Sequence, residues 1–405
     1  MFDLRVEASG CLNCPNAKCS EACPLNVRIP EINKLIREDK IDEAFDIAFD
    51  DNPLGLVCGI VCPHEKQCEG SCIKRMIDKN IEIGQIEENL WKWKMSRGMI
   101  GPRFNNGIVS NTKVAIVGGG PAGIACASLL LRGGIDVTIY EKENFLGGIL
   151  VYGIPNFRLD DILVKQNIDF ALNYKAKGNL NIEYNNLLVK KGLIVDGYRT
   201  ITLEELEKEY DFVFISIGLE KSKSLGLSNN NNKDYIINAH DFLRNNYDVI
   251  DKKVVVIGGG NVAIDSARKA KKNGADVTII YRRRKEDMPA NTSEIEEAIE
   301  EGVEFIFTTK VLEITKEEKL NLTLDNGSKF TTDYLIEAIG SEVNKNYFDD
   351  GIEFTKENYV KVDDDFKIEN RNLFFGGDLV SDTQTVANAV HTGLKVANEI
   401  CNSNL

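Results

Sequence analysis

The sequence predicts an α/β chain: a helical, cysteine-rich beginning, then two βαβ units. Three observations carry that prediction. The stretch Val114–Glu141, VAIVGGGPAGIACASLLLRGGIDVTIYE, reads as a buried parallel strand, a glycine turn, a helix and a second strand. The stretch Val254–Tyr281, VVVIGGGNVAIDSARKAKKNGADVTIIY, repeats it at an offset of 140 residues. Finally, eight of the ten cysteines fall between Cys11 and Cys72.

In the first stretch Gly118, Gly120 and Gly123 form a G-x-G-x-x-G turn, with Pro121 and Ala122 opening the helix behind it. Glycines at these places allow a tight turn, close approach of a pyrophosphate and close packing of helix on strand. The helix N-terminus adds free N–H groups and a positive dipole end. Glu141 ends the second strand eighteen residues after Gly123, where a carboxylate can accept hydrogen bonds from an adenosine ribose. The second copy keeps Gly258 and Gly260, with Asn261 and Val262 opening its helix, but Gly123 becomes Ala263 and Glu141 becomes Tyr281. Arg282, Arg283, Arg284 and Lys285 follow. A basic run is ordinarily a solvated face, but at this place guanidinium groups can hold a 2′-phosphate that an acid would repel, which points to NADP.

A chain of 405 residues is long enough for two to four domains. The net charge of −14 argues against nucleic acid or an anionic membrane surface as partner. No apolar run has bilayer length, and the start, MFDLRVEASG, has neither a charged n-region nor an h-region. A cytoplasmic protein without membrane contact is expected. Cysteines so clustered in such a chain point to metal rather than disulfides.

Cys11, Cys14, Cys19 and Cys23 give C-x2-C-x4-C-x3-C-P, and Cys58, Cys62, Cys68 and Cys72 give C-x3-C-P-x5-C-x3-C. Thiolates so close repel one another unless a metal neutralises them, and soft sulfur selects iron–sulfur clusters or zinc. Zinc sites pair C-x2-C with another or with histidines, whereas His64 is the only histidine in residues 1–105. The Cys-Pro endings favour iron and sulfur.

The remaining segments follow in order. Pro30–Asp50 has helical spacing and reads as one packing helix; Trp91 and Trp93 read as anchors of an interface or core; residues 98–112 read as a linker. Phe145–Leu159, FLGGILVYGIPNFRL, is punctuated by glycine and proline, so its backbone can approach a flat ring, with Gly148, Leu150 and Arg158 as candidate contacts. Asp211–Gly218 and Asp333–Gly340 are buried strands ending at Gly218 and Gly340. LFFGGD ends in Gly377 and Asp378, a partner for a ribityl or ribose hydroxyl, before a helix over Thr385–Ile400 whose first residues, Thr385 and Val386, face a ring system.

Two nucleotide sites in one chain suggest a bound flavin and a diffusing nicotinamide, with the cofactors carrying the reaction. No acid–base pair or nucleophile stands out; His240 and His391 read as structural. A flavin also turns a two-electron donor into single electrons, which clusters accept. A disulfide reductase of the thioredoxin reductase kind would need a C-x-x-C beside the flavin, and no cysteine lies between Cys126 and Cys401. A redox sensor or scaffold would use the same cofactors without turnover.

With these residues named, the chain resembles the family that includes the glutamate synthase small subunit, the large subunit of a bifurcating ferredoxin:NADP oxidoreductase and the electron-input half of dihydropyrimidine dehydrogenase. The resemblance rests on DNPLGLVCGIVCPHEKQCEGSC (Asp51–Cys72), YGIPNFRL (Tyr152–Leu159), GGGNVAID (Gly258–Asp265) and YRRRKEDMPA (Tyr281–Ala290). It implies a glutathione-reductase-like pair of Rossmann-type domains for FAD and NADPH, preceded by a helical domain with two 4Fe–4S clusters. The expected domains are 1–105 for the clusters, 106–240 and 341–405 for FAD, and 241–340 for NAD(P)H. It implies Cys11, Cys14, Cys19 and Cys72 on one cluster, and Cys23, Cys62, Cys68 and Glu87 of IGQIE on the other, with Cys58 a bystander. Counting cysteines alone would choose Cys58 in place of Glu87. A catalytic partner in a hetero-oligomer is implied, FMN-containing and dihydropyrimidine dehydrogenase-like, or glutamate synthase large subunit-like.

Overall fold

The computed structural model describes residues 2–98, 111–229 and 231–403. Residues 99–110, which include most of the expected linker and the 105/106 boundary, lie outside the described residues. The chain divides into two compact units: residues 1–150, 157–218 and 343–405, and residues 151–156 with 219–342. The main segment of the second unit begins at Leu219, ahead of the expected 241, and the strand Ile236–Asn238 pairs with Tyr334–Glu337 in its sheet.

The first unit is built on a five-stranded parallel sheet in the order Leu373–Phe375, Phe212–Ile215, Lys113–Val117, Asp136–Tyr140, Leu180–Glu183. Val114–Val117 is buried on both faces, as its apolar run requires of a central parallel strand. All five strands point the same way, so their carboxyl ends gather along one edge. The helices Pro121–Arg132 and Val386–Asn402 pack on each other over that sheet. They approach closely because Gly393 has no side chain: a Cβ there would lie 2.1 Å from the Ala122 carbonyl oxygen.

The N-terminal helices belong to this same unit. The segment expected to be one helix is two, Ile29–Arg37 and Ile41–Asp51. Asp39 takes φ +62° between them, a conformation that ends a helix and that short polar side chains tolerate best. Phe45, Phe49 and Trp91 are fully buried and meet Phe170 and Tyr174 of the helix Asp161–Asn173 and its cap at ring separations of 5.0–5.9 Å. Such pairs contribute about 0.5–1.5 kcal/mol each beyond their buried area. Trp91 is thus a core anchor, while Trp93 lies under the Arg97 guanidinium.

The second unit repeats the plan with a parallel sheet ordered Glu304–Ile306, Asp276–Ile280, Lys253–Ile257, Tyr334–Glu337, Ile236–Asn238. A three-stranded antiparallel sheet, Val311–Lys316, Leu320–Leu324 and Lys329–Thr332, packs its apolar residues on the buried strands. Among the described residues no helix is long and apolar enough to cross a membrane.

Candidate functional site

The glycine turn of the first unit sits at the carboxyl edge of its sheet. Gly118 takes φ +101°, and a Cβ on it would lie 2.6 Å from the Ser216 carbonyl oxygen. Gly123 is more confined still: its Cβ would be 2.1 Å from Gly118 O. Gly120 differs from both. It is the N-cap of the helix Pro121–Arg132, its φ of −79° suits any residue, and a Cβ on it would meet nothing within 4 Å. Nothing in the chain itself requires glycine there, so the requirement fits a group bound from outside, as a pyrophosphate would be.

Glu141 ends the neighbouring strand and is 5% exposed. Its carboxylate accepts from Gly119 N at 2.7 Å and Glu143 N at 2.9 Å, tying the strand end to the turn. Burial raises its pKa, and those two N–H groups oppose the rise. Ser216, which sequence reasoning passed over, buttresses the turn by donating to Gly118 O at 3.0 Å. Gly148 takes φ +52°, and its Cβ would lie 3.3 Å from the Gly120 Cα; Leu150 is fully buried nearby in sequence. A Cβ on Gly377 would lie 3.4 Å from the Ala122 Cβ, so the C-terminal segment reaches the same helix start. Beside it Asp378 has its pKa pushed up to about 6 by burial. Thr385 caps the last helix, accepting from Asn388 N at 3.2 Å, and Val386 begins it. Gly218 takes φ +71° just past its strand. Arg158 lies in the same unit. The first unit therefore collects Gly118, Gly120, Pro121, Ala122, Gly148 and Gly377 around one helix start.

In the second unit Gly258 is pressed by Ala338 O, 2.2 Å from its would-be Cβ, as Gly118 is by Ser216. Gly260, with Asn261 and Val262 after it, again has open space, its Cβ meeting only Pro289 at 4.0 Å. Gly340 takes φ +100° beyond the central strand, in the place of Gly218. Where the first turn has Gly123 the second has Ala263, whose Cβ would lie 3.1 Å from a Cβ on Gly258. Tyr281 does what Glu141 does, by different means: its ring lies against Gly259, and its hydroxyl donates to Asp287 O at 2.8 Å. It is a buried filler of the turn, with Arg282 and Arg283 exposed immediately after it. Arg284 is held by Asp287 at 3.3 Å.

The N-terminal thiols fall into two groups. Cys11, Cys14, Cys19 and Cys72 line one cleft, together with Lys18 and Lys74. Burial raises the pKa of Cys11, and burial followed by the charge of Cys72 pushes Cys19 up to about 11. In the other group Cys23, Cys62, Cys68 and Glu87 are electrostatic neighbours. Burial pushes Cys23 up to about 11, opposed by backbone N–H groups and reinforced by Glu87. Cys62 is raised first by its hydrogen bond with Cys58 and then by burial, and Cys68 first by burial. His64 stands with Nδ1 at 3.4 Å from Cys68 Sγ and Nε2 at 3.1 Å from Gly59 O, a thiol partner its sequence position did not disclose. Cys58, buried one helical turn before Cys62, hydrogen-bonds that thiol and is an electrostatic neighbour of Cys23 as well.

The Gly55–Val61 helix sets that geometry. Gly55 and Gly59 let it lie close to the helix Ile83–Ser96; a Cβ on Gly59 would be 2.7 Å from Glu88 N. Its other sides pack on Asp161–Asn173 and Val386–Asn402, the helices of the first nucleotide unit. Asn167 secures this by accepting from Val57 N and donating to Pro53 O. Burial pushes Glu87 up to about 8, against the hydrogen bond it accepts from Asn52. Buried thiols that resist ionisation need a cationic core to become ligands, and the donor chemistry of both groups fits an iron–sulfur cluster. Among the described residues no three His, Cys, Asp or Glu side chains close on a single metal ion. A four-iron cluster keeps its ligands further apart than one ion does.

Two nucleotide units of this build, one inserted in the chain of the other, define a class of oxidoreductases with two dinucleotides. Residues 112–393 match the pyridine nucleotide-disulphide oxidoreductase family, and the chain belongs to it. Residues 3–99 match the dihydropyrimidine dehydrogenase domain II, 4Fe-4S cluster family. Those two families imply FAD, NAD(P)H and a 4Fe–4S cluster. The chain is 35% identical over 380 residues to the NADPH-Fe(3+) oxidoreductase subunit beta of Geobacter sulfurreducens, covering 85% of this chain and 54% of that one. The chain thus spans about half the length of that relative. It is 32% identical to the NAD-dependent dihydropyrimidine dehydrogenase subunit PreT of Escherichia coli, over 97% of this chain and 92% of that one. It is 29% identical to the E. coli NADPH glutamate synthase small chain, over 98% and 91%. The fold is also that of T. acidophilum thioredoxin reductase, with a TM-score of 0.56 and 21% identity over 72% of this chain and 97% of that one.

Proposed function

We propose that the chain is an electron-input subunit that oxidises NADPH at FAD and delivers electrons through two 4Fe–4S clusters to a catalytic partner. The observation that carries this reading is the joining of two thiol-rich groups and the first nucleotide site in one compact unit. The flavin, when bound, supplies hydride acceptance and one-electron release, and the clusters supply one-electron transfer.

The chain's own residues take these roles in the proposal. Gly118, Gly120 and Gly123 admit the FAD pyrophosphate to the N-terminus of the helix Pro121–Arg132. Glu141 accepts from the adenosine ribose, and Asp378 with Thr385 and Val386 borders the ring end. Gly258 and Gly260 do the same for NADPH, with Arg282 and Arg283 on its 2′-phosphate. Cys11, Cys14, Cys19 and Cys72 hold the more open cluster. Cys23, Cys62, Cys68 and Glu87 hold the one whose helix packs on the flavin-binding elements.

The partner is of FMN-containing dihydropyrimidine dehydrogenase type. The near-complete mutual coverage with a subunit named for that enzyme and the Asp51–Cys72 motif support it. A glutamate synthase large subunit is the second reading, favoured by equally complete coverage of the small chain. Co-purification of the chain from its own cells, followed by identification of the bound subunit and its flavin, tests the choice. A partner without FMN and without pyrimidine reduction would exclude the first reading. Anaerobic NADPH should bleach the bound flavin, and an unbleached flavin would point to a sensor or scaffold.

A further inference from the structure

Glu87 is surrounded by a geometry that the binding of a cluster does not by itself demand. Asn52, 1% exposed, donates from Nδ2 to Glu87 Oε1 at 3.0 Å. Its amide cannot turn over, because Leu54 N donates to Asn52 Oδ1 at 3.1 Å and leaves only the NH2 for the carboxylate. Trp91 follows Glu87 by one turn of the same helix, so the two side chains share a face. Its Nε1 is buried with no hydrogen-bond acceptor. An indole N–H can only donate, and a buried donor left unsatisfied is costly. The missing side chain of Gly55 leaves a gap between the two groups: one point, where its Cβ would stand, is 2.2 Å from Trp91 Nε1 and 2.8 Å from Glu87 Oε1. The indole is clamped among Phe45, Phe49 and Phe170, so the movable partner is the carboxylate.

We propose that Asn52 and Trp91 are positioning residues that aim the Glu87 carboxylate at Cys23, Cys62 and Cys68, and so select an oxygen ligand for that cluster over the nearby Cys58 thiol. This rests on the reading of Glu87 as a ligand. Once the carboxylate accepts from the Trp91 N–H as well as from Asn52, two donors on one side fix its plane and leave lone pairs on the other side for iron. Orientation by such outer partners tunes the electronic character of the cluster they surround.

The test uses the anaerobically purified, cluster-loaded chain, reading iron content, the electron paramagnetic resonance spectrum and the midpoint potential of each cluster. Asn52→Leu and Trp91→Phe should each retain flavin and iron but shift the g-values and potential of one cluster only. The same cluster should respond to Glu87→Gln, and Trp91→Phe combined with Glu87→Ala, which removes the acceptor, should add nothing to Glu87→Ala alone. Trp91→Phe keeps the aromatic packing, so it reports even if Asn52→Leu fails to fold. If Glu87→Gln shifts a cluster while Trp91→Phe leaves the spectrum as in the wild type, the positioning role is wrong and the ligand assignment stands. If Glu87→Ala leaves both spectra unchanged, the ligand assignment itself is wrong.

Discussion

Replacing Gly120 and Gly123 by alanine separates what the chain needs from what its ligand needs. At Gly120 the new methyl meets nothing within 4 Å, and the backbone there suits alanine. Two small effects oppose each other. Alanine is a poorer N-cap than glycine by up to about 1 kcal/mol, and its stiffer unfolded chain returns about 0.4–1 kcal/mol. The flavin-free G120A protein should therefore melt within a few degrees of the wild type. With FAD the methyl stands where the pyrophosphate must approach, and overpacking of about 1–3 kcal/mol corresponds to a dissociation constant raised about 5- to 150-fold. G123A should behave otherwise. Its methyl would lie 2.1 Å from Gly118 O and 2.9 Å from Ser216 Oγ whether or not flavin is present, so the flavin-free protein itself loses stability. Thermal unfolding of the stripped proteins and fluorescence titration with FAD measure both effects. FAD affinity of G120A equal to the wild type would refute the argument, as would equal destabilisation of the two stripped variants.

Further outcomes follow from the same geometry. Arg282→Ala with Arg283→Ala should lower kcat/KM for NADPH by about 10- to 150-fold, as loss of charge-assisted hydrogen bonds of about 1.5–3 kcal/mol requires; equal loss with NADH would show that they do not read the 2′-phosphate. Phe170→Ala, which empties the contact with Phe45, Phe49 and Trp91, should cost about 3–5 kcal/mol in denaturant unfolding. Asp378 has its pKa raised from 3.8 to about 6, so the folded flavin-free chain binds the extra proton between those values. Its penalty is absent below pH 3.8 and complete above pH 6. Asp378→Asn should therefore raise the melting temperature of the stripped protein at pH 7, with the gap closing as pH falls towards 4; a gap independent of pH would show that burial does not raise the pKa of this carboxyl.

The strands and both glycine turns were legible because buried parallel strands and G-x-G turns are local in sequence. Val114–Val117 and Val254–Ile257 could hardly be anything else. The break at Asp39 was not legible, since the apolar spacing runs through it and only the backbone conformation ends the helix. That the second unit takes in residues ahead of 241 was also hidden, because Ile236–Asn238 joins its sheet by pairing with a strand far along the chain. At the candidate site the residues that hold others in place were the ones missed. Asn52, His64 and Ser216 act on groups that single-sequence reading cannot place beside them: Asn52 reaches Glu87 thirty-five residues away, and Ser216 reaches Gly118 from across the sheet. Tyr281 was visible only as the loss of an acid, whereas in the structure its ring fills the space under Gly259.

The central claim is that one chain carries a flavin and two four-iron clusters. Anaerobic purification followed by iron, sulfide, zinc and flavin analysis tests it most directly. The account predicts one FAD and about eight irons with matching sulfide per chain, from two four-iron clusters. Zinc without iron, or about four irons in a fully loaded and folded chain, would contradict it.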